Sequence, residues 1–190
     1  LLGSWGAKEI HEGQRPTQGW EVLSVPHIAS ARWPQWQGAV WYRLDWQINC
    51  PHVDSVQQGA LALAISGMRQ AGTVYWNDEL LWSDRSLVTP MSRSWNMPRW
   101  WPVSTRDRGE VQTAWVRVVA WESEFKGLGY VQLGDMASIR DAHEVRYRHQ
   151  RLSYVVTGSL SLTIACVALV VWLWRRSEQV YLWMGVMQTF

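Results

Sequence analysis

The stretch QGAVWYRLDWQI, residues 37–48, alternates in a way that sets the fold class. Val40, Tyr42, Leu44, Trp46 and Ile48 fall on one face of an extended chain, as in a half-buried β-strand. The opposite face carries Trp41, Arg43, Asp45 and Gln47. A tryptophan there is out of keeping with a purely solvated surface, so the second face has its own business.

Strand signals continue on both sides. Residues 21–25 form a short candidate that stops at Pro26. Residues 60–65 (ALALAI) put Leu61, Leu63 and Ile65 on one face and alanines on the other, which predicts a central strand closely packed on its alanine side. Residues 73–76 and 79–82 flank Asn77-Asp78, a two-residue hairpin connection. Residues 111–121 give the longest candidate, with Trp115, Val119 and Trp121 on one face and Ala114, Val116, Val118 and Ala120 on the other. Residues 129–133 close the set. Short strands separated by turns, with no helical period before residue 138, predict an all-β antiparallel sandwich over residues 20–137.

Ser138-Ile139-Arg140-Asp141 reads as a capping-box variant that starts a helix. No Gly or Pro follows until Gly158, so one helix is expected from a charged stalk, residues 138–151, into what comes next. That stalk is charged all round, as expected of a bare rod or of a helix meeting neighbours outside the chain. Residues 152–174 then run 23 positions without a formal charge, about 34 Å as helix against a hydrocarbon core of about 30 Å. Tyr154, Trp172 and Trp174 sit where interfacial aromatics belong, and Arg175-Arg176 end the run. This predicts a transmembrane helix. Residues 180–190 open a second apolar run, read as the start of another span in a longer polypeptide. At the other end, residues 1–19 are set apart as an N-terminal segment whose start, LLGSWG, resembles the tail of a signal peptide. Basic residues before the helix point residues 1–151 to the cytoplasm by charge, whereas a signal-like start points to export.

The composition is 47% hydrophobic and 18% charged, with 16 tryptophans against 2 phenylalanines. Tryptophan serves cores, interfaces and stacking platforms alike. A net charge of +2 lacks the concentrated basic face of a nucleic-acid binder. Cys50 and Cys166 lie in unlike segments and give no disulfide framework. Nucleotide-loop, metalloprotease and hydrolase-elbow patterns are absent, and the five histidines have no ligand spacing, so neither a metal nor a cofactor is expected. Glu122 and Glu124 could mimic an acid pair, but read more simply as solvated turn residues. The chain is expected not to be an enzyme.

The order of features also carries a resemblance. Pro26 through Trp33-Pro34, then Gly38 with Trp41-Tyr42-Arg43, the apolar run at 60–65, and Val74-Tyr75-Trp76-Asn77-Asp78-Glu79-Leu80 resemble the galactose-binding-like jelly roll of sugar-binding domains in β-glucuronidases and β-galactosidases. With Met97-Pro98, Gly127, Gly134-Asp135 and an apolar helix directly after, the chain is more similar to the periplasmic sensor domains of bacterial seven-transmembrane receptors with diverse intracellular signalling modules. Their hairpin usually reads Asn-Gly, where Asp78 stands here.

The resemblance implies a jelly roll in the periplasm, a bacterial inner-membrane anchor, a homodimer, and output through a histidine kinase or diguanylate cyclase. It implies a small-molecule or carbohydrate ligand, or a periplasmic protein partner. Candidate ligand-binding residues are then Trp41, Arg43, Trp76, Asn77, Trp95, Arg99 and Trp100. Packing roles stand beside these: Trp41 against neighbouring strands, Asn77 in its turn. The rival reading is a membrane-anchored carbohydrate-binding or envelope-assembly protein without signalling output.

Overall fold

The computed structural model describes residues 1–47, 61–93, 97–104, 110–119 and 127–187. They fall into two units, Leu1–Arg146 and Tyr147–Phe190. The first holds strands β1 (Gly3–Lys8), β2 (Glu21–Val22), β3 (His27–Ile28), β4 (Val40–Gln47), β5 (Leu61–Ile65), β6 (Ala71–Trp76), β7 (Glu79–Ser83), β8 (Arg99–Val103), β9 (Val111–Val119), β10 (Gly127–Leu128) and β11 (Val131–Asp135). A single helical turn, α1 (Ala29–Arg32), follows β3, and α2 (Met136–Tyr147) follows β11.

β4 is the stretch quoted first, and its alternation is realised. Val40, Tyr42, Leu44 and Trp46 enter the main core, where they meet Val74 and Trp76 of β6 and Ala114, Val116 and Val118 of β9. Strands pair antiparallel in the order β2-β1-β4-β9-β6-β7. A three-stranded antiparallel sheet, β11-β5-β8, contributes Leu63, Ile65 and Val103 to the same core. β3 and β10 form a separate pair. Complete burial of side chains such as Leu44, Leu63 and Ile65 contributes about 1.5–3 kcal/mol each. The result is a sandwich-like arrangement of antiparallel sheets.

Several expectations change in detail. Gly3–Lys8, overlapping the LLGSWG stretch that resembles a signal-peptide tail, form β1 and pair with β4 over Gly3↔Asp45 to Lys8↔Val40. The sheet therefore starts before residue 20, and backbone pairing rather than side-chain periodicity holds this segment. The strand expected at 21–25 is confined to Glu21–Val22. Asp135, not Ser138, caps the helix: its Oδ2 accepts the N–H groups of Ala137 at 3.0 Å and Ser138 at 3.2 Å.

α2 is not a bare rod. Ile139 is buried against Ala62 and Ala64, the small-residue side of β5, with Trp100 and Met136 packed around them. The predicted alanine face is thus the seat of this chain's own helix. The hairpin holds as expected, since Asn77 (φ 47°) and Asp78 (φ 73°) both take the positive φ of a type I′ turn.

In the second unit, a π-helical turn (Arg148–Leu152) precedes α3 (Ser153–Trp174), and α4 (Val180–Met187) follows. α3 is long and apolar enough to cross a membrane, and 11% of its most apolar window is buried, unlike an enclosed core helix. α3 and α4 approach through small residues, Ala165, Ala168 and Gly185. A Cβ at Gly185 would stand 3.0 Å from Leu169 Cγ and 3.3 Å from the Ala165 carbonyl oxygen.

Candidate functional site

The outer face of β4 answers the question posed by Trp41. Its indole is 2% exposed. It stacks on Tyr75 of β6 (centroids 5.8 Å, planes 23°) and donates from Nε1 to Glu9 Oε2 at 2.6 Å. The segment after β1 lies across this face. Glu9 also accepts two 2.6 Å bonds from Arg117 and one of 2.8 Å from the Gly13 N–H. Burial by itself would raise the Glu9 carboxyl, but these donors, Arg117 foremost, hold it below the ordinary carboxylate value. The same contact holds Arg117 above its ordinary value.

Arg15, further along the segment, sits 4.1 Å over the Trp115 ring, and within 6 Å of Trp41 and Tyr75, while pairing with Asp78 in the hairpin turn. Trp20 packs on Trp115 at 5.5 Å.

Arg43 stays half exposed on this face. It lies in one cross-strand row with Trp5 and Trp115, 5.4 Å from each ring. Asp45 holds it by Nε at 3.1 Å and Nη2 at 2.8 Å, and Thr113 Oγ1 donates to Asp45 at 2.8 Å. The guanidinium is thereby oriented between two indoles with part of its edge open to solvent, an arrangement suited to binding a polar ligand.

The other candidates divide. Trp76 is 3% exposed and donates to the Ser104 carbonyl at 2.9 Å, a core position. Asn77 serves its turn: its Oδ1 accepts the Thr113 N–H at 2.8 Å and its Nδ2 donates to Gln112 at 2.5 Å. Trp95, like Glu122, Glu124 and Cys50, lies outside the described residues. Trp41 and Arg43 are thus linked through Arg15 and Trp115, and Arg43 and Asn77 through Asp45 and Thr113.

Arg99 and Trp100 form a second cluster on β8, and their side chains take opposite faces. Arg99 stacks 3.9 Å over Trp82 of β7 and reaches Asp84 at 3.3 Å. Burial pushes its guanidinium below its ordinary value, and Asp84 offsets part of this. Trp100 faces α2, where it meets His143 edge-on at 6.5 Å, and His143 Nε2 lies 2.9 Å from the Pro98 carbonyl oxygen.

Sequence reading passed over Glu9, Arg15, Trp5, Trp82 and Asp84. Residues 9–20 have no periodicity, so nothing local marked Glu9 or Arg15. Trp115 was legible as one face of β9, but not its partners. Among the described residues, no group of three or more His, Cys, Asp or Glu side chains converges as a metal site would require.

Comparison with solved structures places the fold. A calcium-binding mutant of β-glucuronidase 2 from Bacteroides uniformis superposes with TM-score 0.51 and 11% identity, over 69% of this chain and 17% of that enzyme. The likeness is one of fold. A β-glucuronidase from Faecalibacterium prausnitzii overlaps less well (TM-score 0.47, 16% identity, 62% of this chain and 20% of that one). This chain therefore spans at most a fifth of either enzyme's length. The antiparallel sandwich that the strand pattern suggested is borne out at the level of architecture. No protein-family model and no curated protein matches the sequence.

Proposed function

We propose that this chain is the periplasmic ligand- or partner-sensing part of a bacterial inner-membrane signalling receptor, acting as a homodimer. Its membrane helices relay to an intracellular histidine kinase or diguanylate cyclase. The observation that carries this reading is the junction at Asp135. One residue ends β11 and caps α2, and Ile139 then anchors α2 on the alanine face of β5. A mere tether has no need of a linker-free, buried attachment. A helix that must feel small movements of a sheet does. The sandwich is a binding module in this reading, not an enzyme.

Spin labels at Arg140, exposed on α2, test it in the full chain reconstituted in bilayers. A change in the distance between the two protomers' labels on addition of a bound ligand or partner supports the relay. An unchanged distance under saturating ligand sinks it.

The oriented Arg43 between Trp5 and Trp115 favours a second reading, a membrane-anchored carbohydrate-binding or envelope-assembly protein. The mass of the native polypeptide in its own membranes separates the two. A species much larger than this chain supports the receptor. One no larger supports the anchored binder.

A further inference from the structure

Two arginines of the sandwich are buried to similar extents and satisfied very differently. The side chains of Arg117 and Arg99 are 12% and 15% exposed. Arg117 makes two 2.6 Å bonds to Glu9. Arg99 makes one long contact, 3.3 Å, to Asp84, whose second oxygen accepts the Gly72 N–H at 3.0 Å. The Nη1 of Arg99 is shut off from solvent and has no hydrogen-bond partner among the described residues. A buried charged donor left without an acceptor is costly, and an acceptor from outside the described residues would satisfy it.

The location suits a ligand. Among the described residues, β8 is an edge strand of the three-stranded sheet and β7 an edge strand of the six-stranded one. Arg99 and Trp101 project from β8 towards Trp82 of β7, with the two indoles 6.0 Å apart and neither fully buried. Asp84 beside Arg99 already places one negative charge there, which disfavours a dianion such as phosphate. A monoanion that is planar matches the guanidinium edge and can lie against the indoles.

We propose that the edge where β7 and β8 meet binds a small planar carboxylate through Arg99, with the exposed parts of Trp82 and Trp101 as its apolar surface. The strand that carries Arg99 carries Trp100 on its other face, against Ile139 and His143 of α2. Drawing Arg99 towards a ligand therefore moves the residue next to the seat of α2. This consequence for α2 rests on the signalling reading; the binding itself does not.

Benzoate and its neutral isostere benzamide, titrated calorimetrically into the full chain in nanodiscs, test the proposal. Benzoate is expected to bind at least about ten-fold more tightly, since a charge-assisted bond is worth about 1.5–3 kcal/mol. Arg99→Lys keeps the charge but loses the planar fork, and is expected to weaken benzoate by about ten-fold or more while unfolding at the wild-type temperature. Benzoate no tighter than benzamide, no detectable binding of either, or undiminished binding by folded Arg99→Lys would overturn the site. Spin labels at Arg140 and Glu79 read the second consequence. Benzoate bound with the label distance unchanged overturns the relay and leaves the site standing.

Discussion

Glu9 and Arg117, 108 residues apart in the chain, meet in a two-bond ion pair with 4% and 12% of their side chains exposed. The pair fastens the segment after β1 onto β9, over Trp41. Removing one partner strands the other's charge, so Arg117→Met should destabilise the fold by about 3–5 kcal/mol. Glu9→Gln combined with Arg117→Met should cost less than the sum of the single changes. Urea unfolding of the full chain in micelles, followed by tryptophan fluorescence, checks both.

Acid should weaken the sandwich in two stages. Burial, with Arg32 adding repulsion, holds His27 below its ordinary 6.5. A folded value below the unfolded one gives stability that is present above pH 6.5 and lost as pH falls through the folded value. The ring is also tied to the core, its Nδ1 lying 3.2 Å from the Tyr42 hydroxyl. Glu9, held below its ordinary 4.5, adds a second loss as pH falls from there through its folded value. Melting temperature should be level above about pH 7 and decline below. His27→Phe should remove the upper stage and Glu9→Gln the lower.

At the β6–β7 turn two effects oppose each other. Asp78→Gly relieves a positive φ of 73°, worth about 1 kcal/mol, and removes the pairing with Arg15, an exposed type worth about 0–1 kcal/mol. The net change should fall within about 1 kcal/mol of zero. Asn77→Ala loses the bonds to Thr113 and Gln112 as well as tolerance of positive φ, and should cost about 2 kcal/mol. A loss above about 2 kcal/mol for Asp78→Gly would show that Arg15 matters more than the turn.

The seat of α2 has no spare volume. Ala62 is fully buried beneath Ile139, so Ala62→Leu should cost about 1–3 kcal/mol or displace α2. Ser83→Leu, an exposed strand position, is the control. Hydrogen exchange of the α2 amides reads the displacement: faster exchange in Ala62→Leu alone is the expected outcome.

In the membrane-type unit, Gly185→Leu should part α4 from α3, because even a Cβ there would press on Leu169. Hydrogen exchange of the α4 amides should quicken in that variant. Unchanged exchange would mean that the helices can part slightly at little cost.

What local pattern can encode was legible. The period of two in β4, β5 and β9 set which residues enter the core, because strand side chains alternate whatever the partner. Asn77-Asp78 announced its turn through positive φ, and α3 announced itself through length and lack of charge. β1 was not legible, since GSWGAK has small residues where a pattern would stand and takes its shape from pairing with β4.

The sequence by itself therefore determined an antiparallel β-sandwich followed by an apolar helix of membrane-crossing length, since both follow from periodicity and run length. Only the tertiary structure decided what Trp41 and Arg99 do. Trp41 looked like an open platform until Glu9, Arg15 and Tyr75, each remote in the chain, closed over it. Arg99 was one ligand-binding candidate among seven until β7 and β8 came together and left its Nη1 unmatched among the described residues. Burial and pairing of a side chain depend on residues distant in sequence, and no local pattern records them.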